Sequence, residues 1–352
     1  MRNRRTRREV YILEKNSKYG METSSRNSGV IHAGIYHPKN SLKAKLCVEG
    51  NKMLYEFCKK YGVPHKKLGK LIVATNDEEI RTLEELYKIA KDNGVEGLRI
   101  LDKEEIERIE PFIEAERALF SPSTGIIDPN ALMYKLLANA QKNEAYLLVK
   151  HEVTSLRKLR DGYKVSGVCD GEKFSFRADV VINCAGLQAD RIAEMVGIDV
   201  DEAGYRLEYY KGDYFKVNGK LPVKRLIYPV PPREGKGLGI HITLDLYGTV
   251  RLGPNAYKVN EISYEVQSDK EEFKNDVKRF FPLIEKFELE EDFAGIRPKL
   301  KGSGFRDFII KHEADKGFFG LINLIGIESP GLTSCLSIGK YVKEIYENEI
   351  LA

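Results

Sequence analysis

The chain has little cysteine, and its five cysteines are scattered without a single CxxC pair. This arrangement argues against a zinc site and against a disulfide framework, so a reducing cytoplasm is the expected location. The sequence also lacks an apolar run of the roughly 18 residues that a membrane span requires. Its longest candidate, residues 317–327, is interrupted by Asn323, and no apolar core of a signal peptide follows Met1. These absences favour a cytoplasmic protein over a secreted or membrane-spanning one.

A strong excess of charge is missing too. The net charge is +4, and Lys, Arg and Glu alternate along the chain. This is typical of a solvated surface and predicts no nucleic-acid partner. The one concentrated basic segment is MRNRRTRR at residues 1–8. It could touch phosphate or the anionic inner face of a membrane as a peripheral contact, although a short exposed basic end is more often inert.

The chain shows no internal repeat and no low-complexity tract, and its 352 residues suffice for one large domain or two interleaved ones. Short apolar runs alternate with segments of helical periodicity, which predicts an α/β (mixed α+β) fold. Residues 41–62 predict a helix that Ser41 caps and Gly62 ends. Residues 146–177 predict a β-meander with turns at Asp161 and Asp170, and residues 205–257 predict extended antiparallel strands.

Three features point towards a dinucleotide. REVYILEK predicts an early parallel strand, and Glu14 at its end could accept hydrogen bonds from ribose hydroxyls. VVINCAG (180–186) is continuously apolar, which predicts a strand buried on both faces with small residues at its carboxyl edge. ESPGLTSCLSIG predicts a strand, a turn and a helix whose first amides near Gly331 would suit the anionic N1 and C2 carbonyl region of a reduced flavin. An ordinary connection capped by Ser329 is the alternative.

Seven motifs occur together and in a fixed order: ETSSRNSGVIHAGIYHP, STGIIDP, VVINCAG, LIYPVP, LGPNA, AGIRPKL and ESPGLTSCLSIG. With them the chain resembles, from about Glu9 to its last helix, the FAD-dependent oxidoreductases of the D-amino-acid-oxidase superfamily. Within that superfamily it looks most like the L-2-hydroxyglutarate oxidase and dehydrogenase branch. Several motifs in the correct order are more specific than any single glycine pattern.

The resemblance implies FAD as the cofactor and two interleaved parts. A Rossmann-like FAD-binding domain would comprise residues 1–68, 146–204 and 301–352, and a mixed β-sheet substrate domain would comprise residues 69–145 and 205–300. The polar loop after the first strand would pass beside the flavin, and one backbone position would meet the adenine. The implied FAD contacts are Glu14, Thr23, Ser24, Ser25, His32, Val153, Ala185, Gly186, Gly331, Leu332 and Thr333.

The resemblance also implies a reaction, the oxidation of a 2-hydroxy acid with hydride passing from the α-carbon to flavin N5. Such chemistry needs a base for the hydroxyl proton and cations for the carboxylates, roles that suit a neutral His and an Arg. The candidates are His32 and His241 as base or proton relay, Arg297 as carboxylate anchor, and Tyr209, Lys211 and Tyr228 as pocket residues. A structural His, a surface ion pair and core tyrosines are the alternatives, and Asn255 could simply form a turn.

One expected motif is missing. A Rossmann-type FAD site places a GxGxxG loop about 20 residues before the ribose acid, yet only 13 residues precede Glu14 and none of them is glycine. We therefore expect an N-terminally truncated FAD domain, explained by a misassigned start, an interrupted gene or a missing fragment supplied as a separate chain.

Three functions follow for testing. The leading one is FAD-dependent oxidation of L-2-hydroxyglutarate or a related 2-hydroxy acid, with an electron acceptor that the sequence leaves open. A glycerol-3-phosphate or amino-acid oxidoreductase of the same fold is the nearest alternative. A non-catalytic chain or a partner-dependent subunit is the alternative from another class, and the missing glycine loop motivates it.

Overall fold

The computed structural model describes residues 9–231 and 239–352. The basic segment at residues 1–8, for which a phosphate or lipid contact was considered, lies outside the described residues. No helix among the described residues is both long enough and apolar enough to cross a membrane. The helices are α1 (Leu42–Tyr61), α2 (Asp77–Asp92), α3 (Lys103–Ile109), α4 (Pro129–Lys142), α5 (Ala189–Met195), α6 (Lys270–Lys278) and α7 (Gly331–Ile345).

Strands form the larger part of the regular structure. In chain order they are β1 (Val10–Leu13), β2 (Val30–Ile31), β3 (His65–Lys66), β4 (Lys70–Ala74), β5 (Arg99–Asp102), β6 (Arg117–Ser121), β7 (Gly125–Ile127), β8 (Ala145–Leu148), β9 (His151–Lys158), β10 (Tyr163–Cys169), β11 (Glu172–Ala178), β12 (Val181–Asn183), β13 (Leu207–Val217), β14 (Leu226–Pro229), β15 (Ile242–Leu244), β16 (Val250–Leu252), β17 (Tyr257–Val259), β18 (Leu289–Leu300), β19 (Ile309–His312) and β20 (Leu321–Ile325).

Local sequence explains where the first long helix begins and ends. The Ser41 side chain accepts a hydrogen bond from the Ala44 amide, which satisfies one of the free N–H groups of the first turn of α1. Gly62 ends the helix at φ 67°, in the left-handed region that glycine adopts without strain. Both predicted boundaries are confirmed.

The largest sheet has the strand order β17-β13-β16-β15-β14-β4-β6-β5, and β18 pairs with the other edge of β13. Its pairings are antiparallel except that of β14 with β4, which is parallel. The pairings among the strands of residues 205–257 are antiparallel, as predicted, and the parallel partner of β14 comes from a distant part of the sequence. We call this sheet the roof sheet.

Alternation along β4 gives the roof sheet two apolar faces. On one face Leu71 and Val73 pack with Phe215 of β13 and Phe273 of α6. On the other face Ile72 packs in a cluster that includes Tyr228 of β14 and residues of the segment 30–36. The segment that follows the first polar loop is thus pressed against one face of the roof sheet, which we call its inner face.

The remaining strands form smaller sheets. β1 pairs in parallel with β8, and β12 pairs in parallel with β20, which also carries antiparallel β19. The predicted meander is present as β9, β10 and β11. The parallel pairing of β1 with β8 and of β12 with β20 agrees with the α/β fold that the sequences of β1 and β12 predict.

The burial of β1 and β12 differs from the sequence-based expectation. Val10 is 53% exposed and Tyr11 47% exposed, and Ile182 in β12 is 48% exposed. The prediction that β12 is buried on both faces is therefore wrong at Ile182. In the described part of the chain, β1 and β12 each have a hydrogen-bonded neighbouring strand on one side only. Leu13 of β1 and Val181 of β12 nevertheless pack against the same apolar cluster.

Candidate active site

The polar loop after β1 is attached to the roof sheet. The Thr23 hydroxyl donates to the Ile296 carbonyl oxygen of β18 at 3.0 Å, and the Ser28 and Tyr214 hydroxyl oxygens lie 2.9 Å apart. Within the loop, other predicted FAD contacts make local hydrogen bonds: the Ser24 carbonyl oxygen accepts one from Asn27, and the Ser25 hydroxyl donates one to a backbone oxygen. The loop therefore occupies a fixed position against the inner face.

His32 stands where this loop meets α7. Its backbone N–H donates to the Thr333 hydroxyl oxygen at 2.9 Å, and its carbonyl oxygen accepts from the Asn51 side chain at 2.8 Å. Burial first, and then the nearby Lys70 ammonium, lowers the His32 pKa to about 3. The imidazole is consequently neutral at pH 7, which leaves one ring nitrogen able to accept a proton.

The start of α7 lies beside His32. Its N-cap residue is Pro330, and no side chain caps it among the described residues. The alternative that Ser329 caps this helix is therefore wrong, because the Ser329 hydroxyl lies 3.4 Å from His32 Nε2 instead. The amides of the first turn, including those of Leu332 and Thr333, form the positive end of a 15-residue helix.

Arg297 of β18 lies on the inner face, and no acid in residues 9–231 or 239–352 pairs with it. Both terminal guanidinium nitrogens lie 3.3 Å from the Asn255 carbonyl oxygen. The Asn255 side chain is fixed in turn, because its oxygen accepts from the Asp213 amide at 2.9 Å. Gly212 lies beneath the guanidinium: a Cβ there would stand 3.0 Å from Arg297 and 2.7 Å from the Asn255 carbonyl oxygen. A bare backbone at this point makes room for the cation.

His241 and Tyr228 form a stacked pair. Their ring centroids lie 3.5 Å apart with an interplanar angle of 10°. The Tyr228 ring also contacts the Lys70 ammonium, whose Nζ lies 4.5 Å from its centroid. Burial raises the pKa of Tyr228, so its hydroxyl stays protonated. The structure thus brings two predicted site residues together and adds Lys70 to them.

Lys70 was missed by the sequence-based predictions. It is the first residue of β4, in the segment GKLIVAT, and its side chain is 1% exposed. A lysine at the start of an apolar strand normally extends into water. The available signal was the strand itself: Lys70 alternates with Ile72 and Ala74, so it points to the same face as those buried residues.

The other two predicted pocket residues are not brought together with Arg297. Tyr209 donates its hydroxyl proton to the Leu187 carbonyl oxygen at 3.0 Å. Lys211 is adjacent to Gly212 in β13 and therefore points to the opposite face of the roof sheet. There its ammonium donates to the Glu265 carbonyl oxygen. Substrate binding by Tyr209 and Lys211 stays a prediction.

Comparison with known proteins identifies the family. The sequence profile described as "FAD dependent oxidoreductase" (DAO) matches residues 3–345. The chain belongs to this family. It is 37% identical to the mitochondrial L-2-hydroxyglutarate dehydrogenase of Arabidopsis thaliana over 382 residues, covering 95% of this chain and 78% of that protein. It is 30% identical to the L-2-hydroxyglutarate dehydrogenase of Indibacter alkaliphilus, covering 96% of this chain and 92% of that one.

A solved structure supports the same assignment. Dithionite-reduced L-alpha-glycerophosphate oxidase from Mycoplasma pneumoniae with FAD bound superposes with a TM-score of 0.85 at 29% identity, over 97% of this chain and 89% of that one. This DAO-family chain is therefore an oxidoreductase with FAD as its cofactor. The resemblance, the α/β FAD-binding fold and the cofactor predicted from the sequence are confirmed.

The described residues fit the two ends of FAD. On the flavin side, the uncapped start of α7 lies beside the neutral His32. On the adenosine side, Glu14 follows β1, and one of its carboxylate oxygens accepts from the Asn16 amide at 2.8 Å. A Cβ added at Gly186 would meet no atom within 4 Å, so the backbone after Ala185 is open to a close ligand.

The middle of FAD has no equivalent support from this sequence. None of the 30 glycines belongs to a GxGxxG motif, so the loop that usually allows close approach to the pyrophosphate is not among these residues. Val153, the predicted adenine neighbour, lies in β9 opposite Gly167. Its contact with adenine, and the FAD contacts of the other residues, stay predictions.

Proposed function

We propose that this family member oxidises a 2-hydroxy acid, most specifically L-2-hydroxyglutarate to 2-oxoglutarate, with FAD as the hydride acceptor. The observation that carries the proposal is Arg297, a cation on the inner face whose guanidinium contacts a carbonyl oxygen instead of an acid. Such a group is ready to bind a carboxylate in bidentate fashion. The names of the relatives in Arabidopsis and Indibacter supply the substrate.

The proposed roles follow from position and charge. Bound FAD would supply the acceptor for the hydride on the substrate α-carbon. His32 is neutral at pH 7, so its Nε2 would receive the hydroxyl proton as a relay, and its lowered pKa means that it passes the proton on. Arg297 binds the α-carboxylate and so fixes which hydrogen faces the flavin. His241, stacked on Tyr228, takes the role of a second relay or pocket residue.

The remaining assignments concern the domains, the substrate, the electron acceptor and the location. We assign residues 1–68, 146–204 and 301–352 to the FAD-binding part, and residues 69–145 and 205–300 to the substrate part. The substrate is a small molecule, and the electron acceptor is left open. A cytoplasmic location follows from the scattered cysteines, with a peripheral membrane contact as a variant.

A second candidate is the oxidation of glycerol 3-phosphate. It is favoured by one observation, the likeness to a structure that is named L-alpha-glycerophosphate oxidase. The described inner face offers Arg297 and Lys70 as cations, and either could contact a phosphate. Substrate profiling separates the two candidates.

The decisive experiment is anaerobic reduction of the FAD-loaded chain. We expect L-2-hydroxyglutarate to bleach the flavin spectrum, and the D-enantiomer, glycerol 3-phosphate and amino acids to leave it oxidised. Arg297→Met should lower kcat/KM about 100-fold, because its removal leaves the substrate carboxylate without a partner. Lys45→Met, on the exposed side of α1, serves as the control for loss of one positive charge. A flavin that stays oxidised with every 2-hydroxy acid contradicts the proposal.

A further inference from the structure

Lys70 is a buried lysine, and no acid among the described residues pairs with it. Its side chain is 1% exposed, and the influences on its pKa are burial first and then Cys47. Burial lowers that pKa to about 7. The described titratable groups that face Lys70 are Tyr36, Cys47 on α1, Tyr228 on β14, His32 and His37. A buried ammonium is costly when no anion lies beside it, so its retention calls for an explanation.

Tyr36 is half-buried and forms a hydrogen bond with the buried Lys70. Lys70 Nζ donates to the Tyr36 hydroxyl oxygen at 3.3 Å and lies 4.6 Å from the Tyr36 ring centroid. The hydroxyl accepts from Lys70 and therefore keeps its own proton available for another acceptor. Burial raises the pKa of Tyr36, so that proton is retained. The pair presents a neutral O–H donor that is strengthened by the positive charge behind it.

The pair shares the inner face with Arg297. Arg297 reaches over Gly212 of β13, and Lys70 contacts Tyr228 of β14. β16 and β15 lie between those two strands, which makes three strand spacings. At about 4.8 Å per spacing, the points that the two side chains reach are roughly 14 Å apart, counted across the strands alone. This is the scale of a five-carbon dicarboxylate with a hydrogen bond at each end.

We propose that Tyr36, backed by Lys70, recognises the distal carboxylate of the substrate and makes the site selective for a dicarboxylate. The inference rests on the proposed function, in which Arg297 binds the carboxylate beside the reacting carbon. Tyr36 donates its O–H to the distal carboxylate and Lys70 supplies the balancing charge. A monocarboxylic 2-hydroxy acid binds Arg297 but not the Tyr36–Lys70 pair, so its affinity should not change when the pair is removed.

A structural role for Lys70 makes the opposite prediction about stability. If Lys70 held the fold together, its replacement by Met would destabilise the protein. An unpaired buried charge replaced by an apolar side chain of similar length should instead leave the fold as stable or more stable. Thermal unfolding of Lys70→Met therefore separates a recognition role from a packing role.

The test is equilibrium binding of glutarate and butanoate, which cannot be oxidised at a hydroxyl, to the FAD-loaded full chain. Titration calorimetry reports affinity without turnover. We expect Lys70→Met to weaken glutarate binding about 10- to 100-fold, the range for a hydrogen bond to a charged group, and to leave butanoate binding unchanged. Tyr36→Phe should act in the same direction, and Lys45→Met should change neither.

Each outcome has a defined reading. Equal weakening of both acids, unchanged glutarate affinity in both variants, or a lower melting temperature of Lys70→Met overturns the inference. If Lys70→Met does not fold, Tyr36→Phe decides, since it removes one oxygen atom. If glutarate binding depends on the pair but L-2-hydroxyglutarate is not oxidised, the dicarboxylate site stands and the proposed function fails. The two proposals can therefore fail separately.

Discussion

β4 and β1 are both short apolar strands with a parallel neighbour, but their surroundings differ completely. β4 is buried along its whole length between β14 and β6. β1 has β8 on one side alone in the described part of the chain, and Val10 and Tyr11 are about half exposed. Composition gave both strands the tendency to be buried, and neighbours decided which of them is. A strand is buried in the core only when other elements cover both of its edges and both of its faces.

The two regions also have different proposed roles in the site. The closed roof sheet carries Arg297, Tyr228 and Lys70, which are proposed to face the substrate. The open side, with β1 and β12, carries Glu14 and the backbone near Gly186, which are predicted to face the adenosine end of FAD. Substitutions on the two sides should therefore have effects of very different size.

The largest effect is expected for Leu71→Ala in β4. Leu71 is completely buried in the main apolar cluster, so truncation should lower the free energy of unfolding by about 2 to 5 kcal/mol through lost burial and a new cavity. Chemical denaturation of the FAD-loaded chain measures it. A loss below that of a surface substitution would show that β4 is less enclosed than described.

Gly212→Ala should come next. An added Cβ would stand 2.7 Å from both Pro254 and the Asn255 carbonyl oxygen and 3.0 Å from Arg297. We expect a loss of about 1 to 3 kcal/mol from overpacking, together with a higher KM for any carboxylate substrate. Gly339→Ala, where an added Cβ meets nothing within 4 Å, is the control for a methyl group added without crowding. Equal kinetics for the two variants would contradict the role of Gly212.

Lys70→Met should show a smaller effect that depends on pH. The folded-state pKa of Lys70 is lowered to about 7 from 10.5, so below pH 7 the folded protein holds a costly buried charge, and between pH 7 and 10.5 it binds fewer protons than the unfolded chain. Wild-type stability from this group therefore rises with pH. We expect Lys70→Met to be more stable by about 1 to 2 kcal/mol at pH 6, with the advantage shrinking towards pH 10. Melting temperatures across this range, compared with Lys45→Met, measure the trend, and a pH-independent difference would contradict it.

The smallest effect is expected for Ile182→Ala. Because Ile182 is 48% exposed, its truncation should change the free energy of unfolding by less than about 0.5 kcal/mol. The contrast with Leu71→Ala tests the comparison directly. A loss as large as that of Leu71→Ala would mean that the β12 edge is covered in solution.

Much of the fold could be predicted from local signals. The caps Ser41 and Gly62, the meander and the parallel direction of β1 were accessible because each has a signal in the neighbouring residues, although the partner strand β8 is distant from β1 in the sequence. Pairing of β14 with β4 was not, because about 150 residues separate the two strands and no local pattern encodes a distant partner. The exposure of Ile182 could not be predicted for the same reason, because the burial of a strand depends on the elements that surround it.

The site was predicted in part. His32, His241, Tyr228 and Arg297 came from motifs, and the structure places them on or against the inner face of the roof sheet. Lys211 was chosen without its strand register, and alternation with Gly212 turns it to the other face. Lys70 was overlooked because a single lysine at a strand start is ordinarily solvated. Side-chain direction, more than residue type, separates these cases.

The edges of β1 and β12 that have no neighbouring strand among the described residues also have a consequence for handling the protein. Unpaired backbone groups flanked by apolar side chains can pair with another copy of the chain, and such association obeys mass action. The apparent melting temperature of this chain should consequently vary with its concentration, and dilute samples should give the intrinsic value.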